Sequence, residues 1–157
     1  MKIVLLTVGK TTAKNIVSGI EMYTERIRHY VPFELVSIPD LKSTAALSAD
    51  QQKVREGQGI IAALNPGDRV VLLDERGEML TSRKFAQRIQ QRMSAGVKRL
   101  VFVVGGPYGF SAEVYARADA RLSLSAMTFP HDLVRLLFIE QLYRAMTILK
   151  GEKYHHD

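Results

Sequence analysis

The sequence predicts an α/β fold: a mostly parallel sheet covered by helices on both faces. Short apolar, β-branched runs alternate with longer segments of helical periodicity from one end of the chain to the other. The clearest run, Leu100–Val104, is apolar throughout and four of its five residues are β-branched or aromatic, as suits a strand buried on both faces. At 157 residues and 46% apolar composition the chain can build one core, and a second globular domain does not fit. The expected organisation is therefore one domain over residues 1–157 with an extended tail at 151–157.

Taken in order, Ile3-Val4-Leu5-Leu6-Thr7-Val8 belongs to a strand at 2–8 that ends in Gly9-Lys10. A helix follows from about Asn15 to Tyr30, because Ile16, Ile20, Tyr23 and Ile27 recur three or four apart. Phe33, Leu35 and Ile38 mark a second strand closed by Pro39-Asp40, and the polar stretch 41–50 has no clear period, which suits a mobile loop or a weak turn. A helix from about Ala49 to Leu64 stops at Asn65-Pro66-Gly67-Asp68. The strand Arg69–Leu73 ends at Asp74. Ser82 is the expected cap of the next helix, whose buried stripe is Phe85, Ile89 and Met93 and whose end is Ala95-Gly96. After Leu100–Val104 come Gly105-Gly106-Pro107, a short helix at about 111–117, a last strand near 120–124 and a long helix over about 132–149 terminated by Gly151.

Composition narrows the chemistry. There is no cysteine, which excludes disulfides, thiolate nucleophiles, cysteine-ligated zinc and iron–sulfur centres, and a reducing cytoplasm is the natural setting. The N-terminal apolar run is too short to span a bilayer and lacks the marks of a signal peptide, so no membrane partner is expected. The net charge of +6 is unevenly placed. Residues 1–82 carry 10 Lys/Arg and 10 Asp/Glu, whereas residues 83–157 carry 12 and 6, which points to an anionic partner for the second half.

Parallel sheets bind ligands at the carboxyl ends of their strands, here Leu73-Asp74, Gly105-Gly106-Pro107 and Leu124-Ser125. The segment Val103–Ser111 has the glycines for close backbone approach to a ligand, and would equally make a tight strand-to-helix turn. It is neither GxGxxG nor a Walker loop, so a ligand bound through adenine and ribose is open while phosphate recognition is weak. Leu122–His131 alternates hydroxyl and apolar residues before Pro130, which suits either a pocket gripping an apolar and aromatic ligand with backbone bonds or a strand edge and helix lead-in. Apolar residues spread widely around the 132–149 helix, a pattern that calls for cover on more than one side and hence for self-association. Arg135, near that helix's start, is unfavourable for the helix dipole, whereas Glu140 and Arg144 are spaced to pair. No carboxylate pair or metal-ligand set is defined, and no metal is expected.

Read together, LVFVVGGPYGFS, LSLSAMTFPHDLVRLLFIEQLYRA and the tail GEKYH resemble the small SPOUT-type knotted methyltransferase family that modifies N3 of a pseudouridine in large-subunit ribosomal RNA. The resemblance extends over the whole chain. It implies a parallel-sheet fold with a C-terminal trefoil knot, S-adenosylmethionine as cofactor, a homodimer paired antiparallel through the terminal helices, and ribosomal RNA in the assembled ribosome as partner. By position it implies cofactor contacts at Leu73, Gly105, Gly106, Leu124, Ser125, Ala126, Met127, Thr128 and Phe129. Tyr154 and His155 would complete the partner subunit's site, with His155 assisting deprotonation or orienting the base and Tyr154 holding the ring. His156 stands where relatives commonly carry a basic residue. Arg135 and His156 are the expected substrate-binding residues, with Lys84, Arg88, Arg92 and Lys153 as further candidates for RNA backbone contact. The other readings left by the resemblance are a different RNA base or ribose position and a noncatalytic ribosome-binding module.

Overall fold

The computed structural model describes residues 1–157, which form β1 (Lys2–Val8), α1 (Lys14–Arg28), β2 (Phe33–Ile38), a 3₁₀ turn (Thr44–Ala46), α2 (Ala49–Ala62), β3 (Arg69–Met79), α3 (Ser82–Ser94), β4 (Arg99–Val104), α4 (Ala112–Arg117), β5 (Ala120–Ser123) and α5 (His131–Leu149). All strand pairs are parallel and the sheet order is β2-β1-β4-β3-β5. The central strands β1 and β4 are the continuous apolar runs because each faces a core on both sides. Ile3, Leu5, Leu100 and Phe102 enter one core with α1, α3 and α5, while Val4, Leu6, Val101 and Val103 enter the other with α2 and α4. The first core is knit by aromatic contacts, with Phe102 4.7 Å from Phe138 and 6.0 Å from Phe85. Burying each such ring stabilises the fold by about 2–3 kcal/mol.

Four elements differ from the sequence reading. The 41–50 stretch is the turn of its two alternatives, with more local structure than expected: Ser43 takes φ +57, the 3₁₀ turn follows, and Ser48 caps α2 in a reciprocal box with Gln51. Thr81, not Ser82, caps α3; its hydroxyl accepts from the Lys84 amide, while the Ser82 hydroxyl donates to Gln141 Oε1 on α5. The strand ending at Asp74 in the sequence reading in fact continues to Met79. Its first part pairs with β4 and with β5, Leu73 lying beside Leu122; beyond an irregularity the same strand returns to β5 through Glu78 beside Leu122 and Met79 beside Ser123. Gly77 makes this second pass possible, because a Cβ there would lie 2.6 Å from the Leu122 amide nitrogen and 2.7 Å from the Arg121 carbonyl carbon.

The fourth difference concerns α5. Its apolar residues need cover on several sides, and one chain supplies much of it: α5 lies between α1 and α3, and no residue from Asp132 to Leu149 is exposed. The fully buried set includes Phe138, Ile139, Leu142 and Ala145. The breadth of the apolar pattern therefore reflects burial within the subunit as well as any pairing between subunits. The helix closes at Gly151 with the Glu152 amide donating to Thr147 O and the Gly151 amide to Ile148 O.

Candidate active site

The carboxyl ends of β3, β4 and β5 open into a cleft of about 280 Å³, close to the ~300 Å³ at which small-molecule sites begin. The strand-end rule thus selects the same three places as the sequence. Eight of the nine expected cofactor residues line it: Leu73, Gly105, Gly106, Leu124, Ser125, Met127, Thr128 and Phe129. Ala126 does not. It is exposed in the 124–129 loop, where the Met127 amide donates to Ser125 Oγ and Ser123 Oγ donates to Ser125 O. These local bonds hold the turn of the loop.

A group that was not singled out from the sequence supports the glycine turn from behind. Glu56 on α2 is buried, its Oε1 has no hydrogen-bond partner, and its carboxyl occupies the place where a side chain on Gly106 would go. Burial pushes its pKa up, against a hydrogen bond from Gln52 and with the help of Asp40. The available signal was its register: Glu56 lies one turn before buried Ile60, on the inward face of α2. Asp74, at the cleft edge, accepts from the Tyr115 hydroxyl at 2.5 Å and from the Arg76 amide at 3.0 Å. The Tyr115 hydroxyl is held protonated by burial first and then by Asp74.

Arg135, expected to bind substrate, is turned into the protein instead. It is 2% exposed, and its guanidinium donates to the Val8 carbonyl at 2.8 Å and to Thr11 Oγ1 at 2.9 Å, with Asp132 3.8 Å away. The charge that sits poorly at a helix start is held by the end of β1. Burial lowers its pKa, opposed by Asp132 and Asp40. Among the other basic candidates, Arg88 pairs with Glu78. Lys84, Lys153 and His156 are exposed.

The C-terminal tail is docked on its own subunit. Tyr30 donates to Glu152, and Tyr154 donates to Glu140 Oε1 at 3.0 Å, the same oxygen that accepts Arg144 at 2.8 Å. Arg144 also lies 4.7 Å over the Tyr154 ring and 3.2 Å from His155 Nδ1. A guanidinium only donates, so His155 Nδ1 accepts and Nε2–H donates to Asp157 Oδ1 at 3.0 Å. Asp157 is in turn gripped by Arg83, which with His155 pulls its pKa down to about 2. Tyr154 is kept a phenol by burial first and then by Tyr23 and Glu140. No residue after Val134 lines the cleft. Within one chain, then, Tyr154 and His155 form a cluster with Arg144 and Glu140 apart from the glycine turn. The pairing of Glu140 with Arg144 was legible; their joint hold on the tail was not.

This fold and cleft define a class. The model of the SPOUT methyltransferases, described as "Predicted SPOUT methyltransferase", matches residues 1–155, and the chain belongs to that family. More narrowly, it is 54% identical over 156 residues to the "Ribosomal RNA large subunit methyltransferase H" of Christiangramia forsetii, covering 99% of each chain. It is 54% identical to the protein of the same name from Parabacteroides distasonis and 53% identical to that from Porphyromonas gingivalis W83, covering both chains of each pair in full. Among solved structures, a probable methylase family protein from Haemophilus influenzae shares the fold at a TM-score of 0.54 and 12% identity, over 99% of this chain and 70% of that one.

The cleft suits the donor of this class, S-adenosylmethionine. Leu73, Leu122, Phe129 and Val134 give apolar walls for an adenine, Gly106 lets backbone approach closely, and Asp74 supplies negative charge for a cationic ligand. No Lys or Arg lines the cleft, which disfavours a phosphate-bearing nucleotide.

Proposed function

We propose that the chain is an S-adenosylmethionine-dependent methyltransferase that modifies N3 of a pseudouridine in large-subunit ribosomal RNA, acting on the assembled ribosome. The observation that carries the chemistry is the convergence of three strand ends on one cleft built from glycine backbone, apolar walls and the Asp74 carboxylate. End-to-end likeness to the large-subunit methyltransferases carries the substrate. Bound in the cleft, the donor supplies an electrophilic methyl group with a good leaving group. The protein's task is then to orient the acceptor, exclude water and deal with one proton.

The acting unit is a homodimer paired through α5, in which the tail of one chain completes the cleft of the other. The separation of Tyr154 and His155 from the cleft of their own chain supports this reading. In the docked tail both ring nitrogens of His155 are engaged, so proton acceptance at Nδ1 requires Arg144 to let go. Released, Arg144 would place a cation beside the base, where it favours the N3 anion. His156, exposed and without a partner, is left to face RNA at the tail's end. A cytoplasmic site of action follows from this substrate, and no helix of the protein is long and apolar enough to cross a membrane.

Methylation of intact ribosomes with labelled donor, followed by nucleotide mapping, tests the proposal. One N3-methylated pseudouridine in the large-subunit RNA is expected; a mark on another base or a ribose would reassign the substrate, and no transfer would overturn the enzyme reading. A His155→Ala variant that binds donor normally but transfers at an unchanged single-turnover rate would remove His155 from the chemistry.

A further inference from the structure

We propose that Asp74 makes the cleft select the positively charged methyl donor over its neutral product, and so promotes product release. The inference rests on the donor reading above.

Across the chain Lys and Arg outnumber Asp and Glu by 22 to 16, yet the cleft reverses that balance. Its only ionisable lining side chains are Asp74, Glu75 and, at the outer rim, His131. A polyanionic RNA gains nothing from carboxylates there. A sulfonium does.

Asp74 is the better placed of the two. It follows Leu73 at the end of the regular part of β3, where that strand is held between β4 and β5. Tyr115 of α4 donates to Oδ2 at 2.5 Å and the Arg76 amide donates to Oδ1 at 3.0 Å, so the carboxylate is fixed before any ligand arrives. Arg121 is kept on the Tyr115 ring, 5.1 Å from its centroid. Each Asp74 oxygen retains accepting capacity beyond these bonds. Glu75 is exposed, and its charge is screened by solvent.

Donor and product share adenine, ribose, amino and carboxylate groups. They differ by one methyl and one positive charge at sulfur. A fixed carboxylate in a half-buried cleft distinguishes them by that charge, whereas apolar walls and backbone contacts hold both alike. Loss of the methyl group thus weakens the ligand's hold at the moment the product must leave.

Calorimetric titration of the intact protein with S-adenosylmethionine and, separately, with S-adenosylhomocysteine tests this. The wild type is expected to bind the donor more tightly. Asp74→Asn should shrink that preference by about five- to tenfold, the size of one solvent-moderated charge interaction. Glu75→Gln should change it by less than about twofold. Equal weakening of both ligands by Asp74→Asn would show a merely structural role and overturn the proposal. So would a wild type that binds product as tightly as donor, a measurement that stands even if the variant does not fold. Binding of neither ligand by the folded wild type would instead overturn the donor reading underneath.

Discussion

Substituting Gly77 by alanine strikes the place where β3 passes β5 for the second time. The added Cβ would meet the Leu122 nitrogen at 2.6 Å and carbonyl carbons of Arg121 and Leu122 at 2.7 Å, all backbone atoms that no rotamer change can move. To restore ordinary contact the two segments must part by roughly 0.8 Å, which weakens the Glu78–Leu122 and Met79–Ser123 pairing. Overpacking of this kind costs about 1–3 kcal/mol, and each backbone hydrogen bond lost or stretched adds up to about 1 kcal/mol. A total near 3 kcal/mol lowers Tm by about 6–12 °C in a chain of this length. Donor affinity should fall as well, because β5 leads directly into the 124–129 loop. Gly67→Ala is the control: nothing lies within 4 Å of its would-be Cβ, and its effect should stay within about 0.5 kcal/mol. Calorimetric melts of the three proteins, with donor titrations, decide the matter. A Gly77→Ala protein melting within about 2 °C of wild type would refute the argument that this contact is rigid.

Arg135→Ala removes a buried donor from Val8 O and Thr11 and should cost about 3 kcal/mol in urea denaturation. If instead stability is unchanged and the salt dependence of RNA binding drops by about one unit, Arg135 is a phosphate contact after all. Glu56→Gln tests the buried carboxyl. Because burial raises the folded pKa above the ordinary 4.5, the folded state holds this proton more firmly than the unfolded one, and the associated stability, full below 4.5, is lost as pH rises. The variant should match wild type near pH 4 and exceed it near pH 8; a pH-independent difference would count against the assignment.

The sequence disclosed most where one physical requirement dominated. A strand buried on both faces must be apolar at every position, so β1 and β4 were plain, as were α1 and α3 with their single buried stripes. The extension of β3 was hidden because Glu75-Arg76-Gly77-Glu78 carries no apolar alternation, and beyond the irregularity the strand returns to β5 only through Glu78 and Met79. Sheet order was hidden too, since strand pairing depends on crossover paths that no local pattern records. The positions expected to touch the cofactor reached one cleft, apart from Ala126, because strand ends in a parallel sheet converge whatever their side chains. Arg135 misled because a cation at a helix start suggests a ligand, and only the folded chain reveals the carbonyl of Val8 behind it. Glu56 escaped notice because charge on a helix usually faces water.

The bond from Arg135 to Val8 spans 127 residues of sequence. Nascent chains emerge N-terminus first, so β1 must wait for nearly the whole protein before the carbonyl at its end acquires its partner. The same wait applies to α1, which packs on α5. Closure of so distant a contact is slow, and it comes after every strand of the sheet has been made. A product of interrupted synthesis that stops before α5 therefore lacks both the helix that ties the two ends together and the His131 and Val134 side of the cleft.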